Sequence, residues 1–276
     1  MLKQIKKHRI RNILIFISCL LFASCNTGPK KEVYKHLDED YEISEEQQVK
    51  KFKHHVDWGY KGETGPDSWA SLHHEFQRCD DGTEQSPVNL VSYYTYTYHK
   101  LEFNYSSTHE IVFNHAHTIQ FNYDKGSNVH FDGITYELLQ FHFHTPSEHH
   151  INSDVYPMEI HFVHRSEDGE FLVVGIMVEQ GERNEFIATI DHDLPSREEE
   201  NRYHKDLDIS HLFPEKDHFF SYQGSFTTPP CTEEVRWIIF KHPVSASKKQ
   251  IEAFHSLIGN NARPIRPIKH RVIIEF

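Results

Sequence analysis

The stretch LLQFHFHTPSEHH, residues 138–150, sets His142 and His144 in alternation with Phe141 and Phe143, with Glu148 close behind. MEIHFVH (158–164) then supplies His161 and His164. Residues two apart on an extended chain share a face. Gln140, His142 and His144 therefore point one way, and Leu139, Phe141 and Phe143 the other. On the next run Glu159, His161 and Val163 share a face, opposite Ile160, Phe162 and His164. Pairing the two runs brings His142, His144 and His161 together. Three neutral nitrogen donors with one position left open describe a catalytic zinc centre. Gln140 and Glu159, just behind, suit the task of accepting ring N–H bonds and fixing the tautomers. His149, His150 and His164 are left as surface or hydrogen-bonded histidines, because three protein ligands complete such a site. Histidine pairs followed by Glu also occur in jelly-roll proteins of the cupin type, but a cupin would want glycine where this chain has Tyr136 and Val155.

Those side chains need strands to hold them. HTIQFNY (117–123), NVHFDG (128–133), ITYELLQFHFHT (134–145), MEIHFVHRS (158–166), EFLVVGIMVEQ (170–180) and VRWIIFKH (235–242) are short, aromatic or β-branched, and bounded by turn residues. EDG (167–169) reads as a hairpin turn. Helix is scarce, with NEFIATI (184–190) and SASKKQIEAFHSLI (245–258) the best candidates. Hydrophobic residues make up 37% of the chain and aromatics 13%, enough for a sizeable core with a lean towards strands. A formal charge of −12 argues against a nucleic-acid partner. The simplest reading is one mainly β domain over residues 54–276.

The N-terminus reads differently. Lys3, Lys6, Lys7, Arg9 and Arg11 precede ILIFISCLLFA (13–23), an apolar run too short for a membrane span. LFASC, ending at Cys25, resembles a bacterial lipoprotein cleavage box, with Phe22 where leucine is usual. This predicts a signal peptide over 1–24, lipid on the Cys25 thiol as the sole membrane contact, and an envelope location, periplasmic or on the outer membrane. An ordinary secretory signal with a chance cysteine is the alternative. Residues 25–53 are rich in Lys, Glu, Asp and Gln without apolar periodicity, as in a polar tether. A packed N-terminal helix is the alternative there. Cys79 and Cys231 remain in the exported part, and two cysteines in an oxidising compartment are expected to pair.

QFHFHTPSEH, MEIHFVH and SFTTPPCTEEVRWIIF (225–240) together resemble the α-class carbonic anhydrases in their bacterial form. WGYKGETGPDSW (58–69), EQSPVNL (84–90) and HAHTIQFNY (115–123) are further landmarks in the same order, so the resemblance runs from about Val56 to the C-terminus. It implies a large, mostly antiparallel twisted sheet with a few short peripheral helices. It also implies one Zn2+ on His142, His144 and His161, and reversible hydration of CO2 to bicarbonate and a proton by zinc-hydroxide attack. Thr227, through its hydroxyl, and Glu148 would orient the attacking hydroxide, and Thr228 would sit at the substrate mouth. Val163, Val173, Phe226 and Trp237 would line the CO2 site, with Phe226 standing where leucine is common and narrowing it. His117 would carry the proton out, with His115 as understudy and Tyr60, Asn114 and Gln120 ordering the water path. The resemblance pairs Cys79 with Cys231 as well, and matches Ser86-Pro87 and Pro229-Pro230 to cis-proline sites. Two other functions share this fold: a zinc-dependent esterase, and a catalytically silent binding module. Silent relatives lack one or more of the zinc histidines, whereas all three stand here.

Overall fold

The computed structural model describes residues 57–91, 94–96, 101–115, 117–191, 194–195, 200–214 and 218–276. The expected signal peptide, the lipid site Cys25 and the polar tether lie outside the described residues. Among the described residues no helix is long and apolar enough to cross a membrane.

The chain is mostly β. Its strands are β1 (Asn89–Leu90), β2 (Tyr94–Thr95), β3 (Leu101–Asn104), β4 (Thr108–Asn114), β5 (Ile119–Asn122), β6 (Asn128–Phe131) and β7 (Ile134–His144) in the first half. There follow β8 (His150–Ile151), β9 (Met158–Ser166), β10 (Phe171–Gln180), β11 (Glu200–Leu207), β12 (Phe219–Ser225), β13 (Glu233–Phe240), β14 (Val244–Ala246) and β15 (Ile274–Glu275). One large sheet runs in the order β11-β4-β5-β7-β9-β10-β13-β12-β15-β2, with β6 and β3 added beside β7, and β14 on β10. Most neighbours are antiparallel, as expected, but β10 and β13 at the centre run parallel. Helices are short and few: α1 (Trp69–Leu72), α2 (Arg78–Asp81), α3 (Ile187–Ile190) and α4 (Lys248–Ile258). Helix α4 starts at Lys248, three residues later than expected, because Ser247 and Gln250 form a reciprocal capping box and Ser245 and Ala246 belong to β14.

Period-two alternation divides the sheet into two faces. One face carries Phe121, Phe141, Phe143, Ile160, Phe162, Leu172, Val174, Ile176, Ile238 and Phe240 into a single core, closed over by Phe254 of α4. The other face carries the predicted chemistry. Strand β7 departs from strict alternation. A bulge between Leu138 and Gln140 puts Leu138, fully buried, in the core. Leu139, expected beside Phe141 and Phe143, is left half-buried at the irregularity. An extra residue in a strand shifts the parity of everything before it, and composition gives no sign of it. Strands β3, β4, β11 and β12, and the shorter β1, β2, β8, β14 and β15, also lie outside the expected set. Strand β12 (FFSYQGS) is buried on both faces save at Gln223, so alternation carries no signal there.

Candidate metal centre

Strand register builds the site row by row. His142 on β7 lies directly opposite His161 on β9, which lies opposite Gly175 on β10. The next row runs Gln140, Val163, Val173, Trp237 and Tyr222 across β7, β9, β10, β13 and β12. Gly175 is small for a reason: a Cβ there would come within 3.1 Å of Glu159 Oε1 and 2.5 Å of Ile239 Cδ1. The expected pocket residues Val163, Val173 and Trp237 are thus brought side by side, all buried. Phe226 follows on the loop after β12, half-buried, and meets the Phe171 ring edge-on at 5.0 Å.

The three imidazoles converge, with ring centroids 4.6–5.3 Å apart and ligand atoms within 4.8 Å of one another. Each has one nitrogen committed elsewhere. His142 Nδ1 donates to Gln140 Oε1 at 2.9 Å. His144 Nδ1 donates to the carbonyl oxygen of Asn261 at 2.9 Å. His161 Nε2 donates to Glu159 Oε1 at 2.8 Å. Carbonyl and carboxylate oxygens only accept, so the tautomers are fixed and the lone pairs left over are Nε2 of His142, Nε2 of His144 and Nδ1 of His161. Burial holds His142 well below the usual histidine range, helped by the other two rings, and brings His144 down to about 4. His142 and His144 are then neutral donors. His144 Nε2 and Glu148 Oε2 are buried with no hydrogen-bond partner. Orphaned polar atoms beside three neutral nitrogens fit a zinc ion well.

Glu159 is the anchor of this arrangement. Its Oε2 accepts the backbone N–H of Glu148 and of His149, each at 2.8 Å. Its Oε1 accepts from the rings of His149 and His161. Burial works to raise its pKa, but the two neighbouring rings and their hydrogen bonds hold it well below the usual carboxylate range. His149 passes the order on: its Nε2 takes the Tyr222 hydroxyl at 2.6 Å, and Tyr222 meets Ser86 Oγ at 2.8 Å. His149, Glu159 and His161 form a second group of metal-ligand type, but these hydrogen bonds already fill it. His149 is therefore a hydrogen-bonded structural histidine, as expected. His164 is another, on the core face.

Glu148 turns its Oε2 towards the centre, 3.5 Å from His144 Nε2 and 3.9 Å from His161 Nδ1. Its Oε1 accepts the Arg263 backbone N–H at 2.9 Å. Burial raises its pKa to about 7, against the pull of the His161 ring, the Arg263 N–H and the Thr227 hydroxyl. Thr227 is itself buried, on the loop that Cys231 closes. Thr228 is half-buried there and its carbonyl takes the Cys231 N–H at 2.8 Å. Cys79 and Cys231 are joined as a disulfide. Cis peptide bonds occur at Ser86-Pro87 and Pro229-Pro230, and also at Thr145-Pro146.

The expected proton-path residues divide. His117 is half-buried and stacks on Trp58, centroids 4.2 Å apart. Tyr60 meets the same ring edge-on at 6.3 Å. Gln120 lies opposite His142 on β5, its amide donating to Asn122 at 2.8 Å. Asn114 does not join them. It follows Val112 by two residues on β4 and shares its core-side face, and its amide donates to the Pro195 carbonyl. Parity puts it on the wrong side of the sheet for the role. Sequence reasoning missed Asn261, which is buried and contributes a backbone carbonyl to His144 and side-chain bonds to Thr145, Phe143 and His117. It also missed Arg263. Neither residue type advertises what its backbone groups do.

Residues 64–276 match the family described as eukaryotic-type carbonic anhydrase. The carbonic anhydrase of Neisseria gonorrhoeae is 39% identical over 223 residues, covering 80% of this chain and 88% of that protein. Among solved structures, a hyperthermostable carbonic anhydrase from an active hydrothermal vent chimney is similar at 41% identity and a TM-score of 0.77, over 80% of this chain and all of that one. The alpha-carbonic anhydrase of Thermovibrio ammonificans, solved with the inhibitor sulfanilamide, is 35% identical with a TM-score of 0.76 over the same shares. With the histidine centre, the sheet that carries it and relatives matched along nearly their whole length, the chain belongs to the α-class, eukaryotic-type carbonic anhydrase family.

Proposed function

We propose that this enzyme hydrates CO2 reversibly to bicarbonate and a proton, using zinc held by Nε2 of His142, Nε2 of His144 and Nδ1 of His161. One observation carries the reading: each of the three rings has its other nitrogen tied to an obligate acceptor, leaving three neutral lone pairs on one face. Zinc bound there would make a water nucleophilic near neutral pH, as it does across this enzyme class.

The chain's own residues orient and feed that chemistry. The Thr227 hydroxyl accepts a hydrogen bond from the attacking oxygen and donates its own proton in a hydrogen bond to Glu148, which as a carboxylate only accepts. The Thr227 N–H steadies the charge that develops on the substrate oxygen, and Thr228 lies at the mouth. Val163, Val173, Trp237 and Phe226 give an apolar seat to an apolar gas, and Phe226 leaves little width for esters. His117 relays the released proton to solvent, a task suited to imidazole, which both donates and accepts protons. Tyr60 and Gln120 border that route. The chain is exported, carries lipid on Cys25 after loss of residues 1–24, and extends its domain from residue 54 beyond a polar tether. Stopped-flow CO2 hydration by the zinc-loaded protein tests the reading. The expected result is hydration that disappears on metal removal and returns with zinc. A fully loaded protein without hydration overturns it.

A further inference from the structure

Arg263 is a buried cation that none of these steps uses. Its side chain is 2% exposed. Nη1 donates to the Ser86 carbonyl and Nη2 to the Cys79 carbonyl, both at 2.7 Å, and the guanidinium lies over Trp69, 5.5 Å from the ring centroid. Burying a guanidinium is costly, and two carbonyls and a ring offset only part of that cost. Burial pulls its pKa down to about 10, and Glu148 opposes this through space. The backbone N–H of the same residue donates to Glu148 Oε1. Residues 261–263 belong to no helix or strand, so no ladder sets their peptide planes. Individual contacts hold them instead: the Asn261 N–H on the Thr145 carbonyl, the Asn261 amide and the Ala262 N–H on Asn260 at one end, and the Arg263 fork at the other.

We propose that the Arg263 side chain is a positioning residue for Glu148: the fork on Cys79 and Ser86 aims the Arg263 N–H at Oε1 and so turns Oε2 towards the metal centre. This rests on the orienting role given to Glu148 above. The fork also ties the acid to the segment that carries the Cys79–Cys231 bridge, so the disulfide supports both partners of the Thr227–Glu148 pair. A lysine presents one point charge on a flexible stem and cannot reproduce two planar donors.

The test is a double-mutant cycle on the zinc-loaded protein with Arg263→Met, Glu148→Gln and the pair. Arg263→Met should lower kcat/KM for CO2 by about tenfold in the native background and by less than about twofold beside Glu148→Gln, with zinc content unchanged. Arg263→Lys should fall between, and serves if the methionine variant does not fold. Hydrogen exchange in the metal-free protein gives a readout apart from activity: protection of the amide at position 263 should fall by about tenfold or more in Arg263→Met. Equal losses in both backgrounds, an undiminished kcat/KM, or unchanged protection overturns the proposal. If the native protein fails to hydrate CO2, the functional reading falls, while the amide measurement still decides the place of Arg263.

Discussion

On β9, His161 and His164 lie three residues apart and on opposite faces of the sheet, both as buried as the Phe162 between them. His161 commits Nε2 to Glu159 and keeps Nδ1 for the other two imidazoles. His164 spends both nitrogens: Nε2 on the Tyr105 hydroxyl at 2.7 Å, and Nδ1 on the Leu172 carbonyl at 3.3 Å. Around His161 stand Glu159, the other two imidazoles, His149 and the Trp237 ring, 4.9 Å away. His164 has the Tyr105 ring stacked on it at 5.9 Å. A buried histidine thus keeps one ring nitrogen for its neighbouring imidazoles on one face and is a strut on the other. The difference lies in how many ring nitrogens the surroundings consume.

That contrast breaks first at His161. His161→Ala should lose zinc and hydration together, with affinity falling more than about a hundredfold, beyond what loss of an outer partner costs. Elemental analysis with full zinc occupancy would end the assignment. Thr227→Ala should keep its zinc, yet lower kcat/KM by about a hundredfold, with no rescue by added imidazole. An unchanged kcat/KM in stopped flow counts against the orienting role.

On the other face His164→Leu should leave zinc and kcat/KM unchanged and cost about 2 kcal/mol at pH 7, from the acceptor and donor it strands. Burial depresses the His164 pKa to about 3. Its neutral form therefore favours the fold above the unfolded value near 6.5, and that stability drains away as pH falls from there towards 3. The leucine has no such titration. By pH 5 the native protein has lost about 2 kcal/mol through this one group, so the gap between the two proteins should close. Urea unfolding at the two pH values checks it, and a gap that holds at both removes the titration. His117→Ala gives the smallest effect. In weak buffer kcat should fall about tenfold, less than a proton carrier usually contributes because solvent and buffer compete, while kcat/KM stays put and imidazole restores the loss. Full kcat in weak buffer would move the relay to His115.

The two strands of the centre were legible because period two survives there. MEIHFVHRS is β9 to the residue, and the same-face set His142, His144 and His161 follows from it. The disulfide was legible from compartment and count. What stayed hidden has common physical causes. The bulge at Leu138–Gln140 inserts a residue that no side chain announces. Asn114 sits one position out of phase with the face it was assigned to. Asn261 and Arg263 serve through a carbonyl and an N–H that every residue possesses, and they come from more than a hundred residues away, so neither type nor spacing points to them. The Tyr222–Ser86 extension of the hydrogen-bond chain needs β12 beside β13, which both-face burial concealed.

Glu159 has a consequence for which amino acids its position tolerates. Four donors reach its two oxygens, two peptide N–H groups on one and two ring N–H groups on the other. Glutamine matches its shape but carries only one acceptor, so either orientation aims an NH2 group at two other donors. Aspartate is a methylene short of the peptide. Either substitution strands at least one of the four donors, ring or peptide. The usual ladder of chemically similar replacements therefore has no next rung at residue 159, and drift in the sequence must go around it.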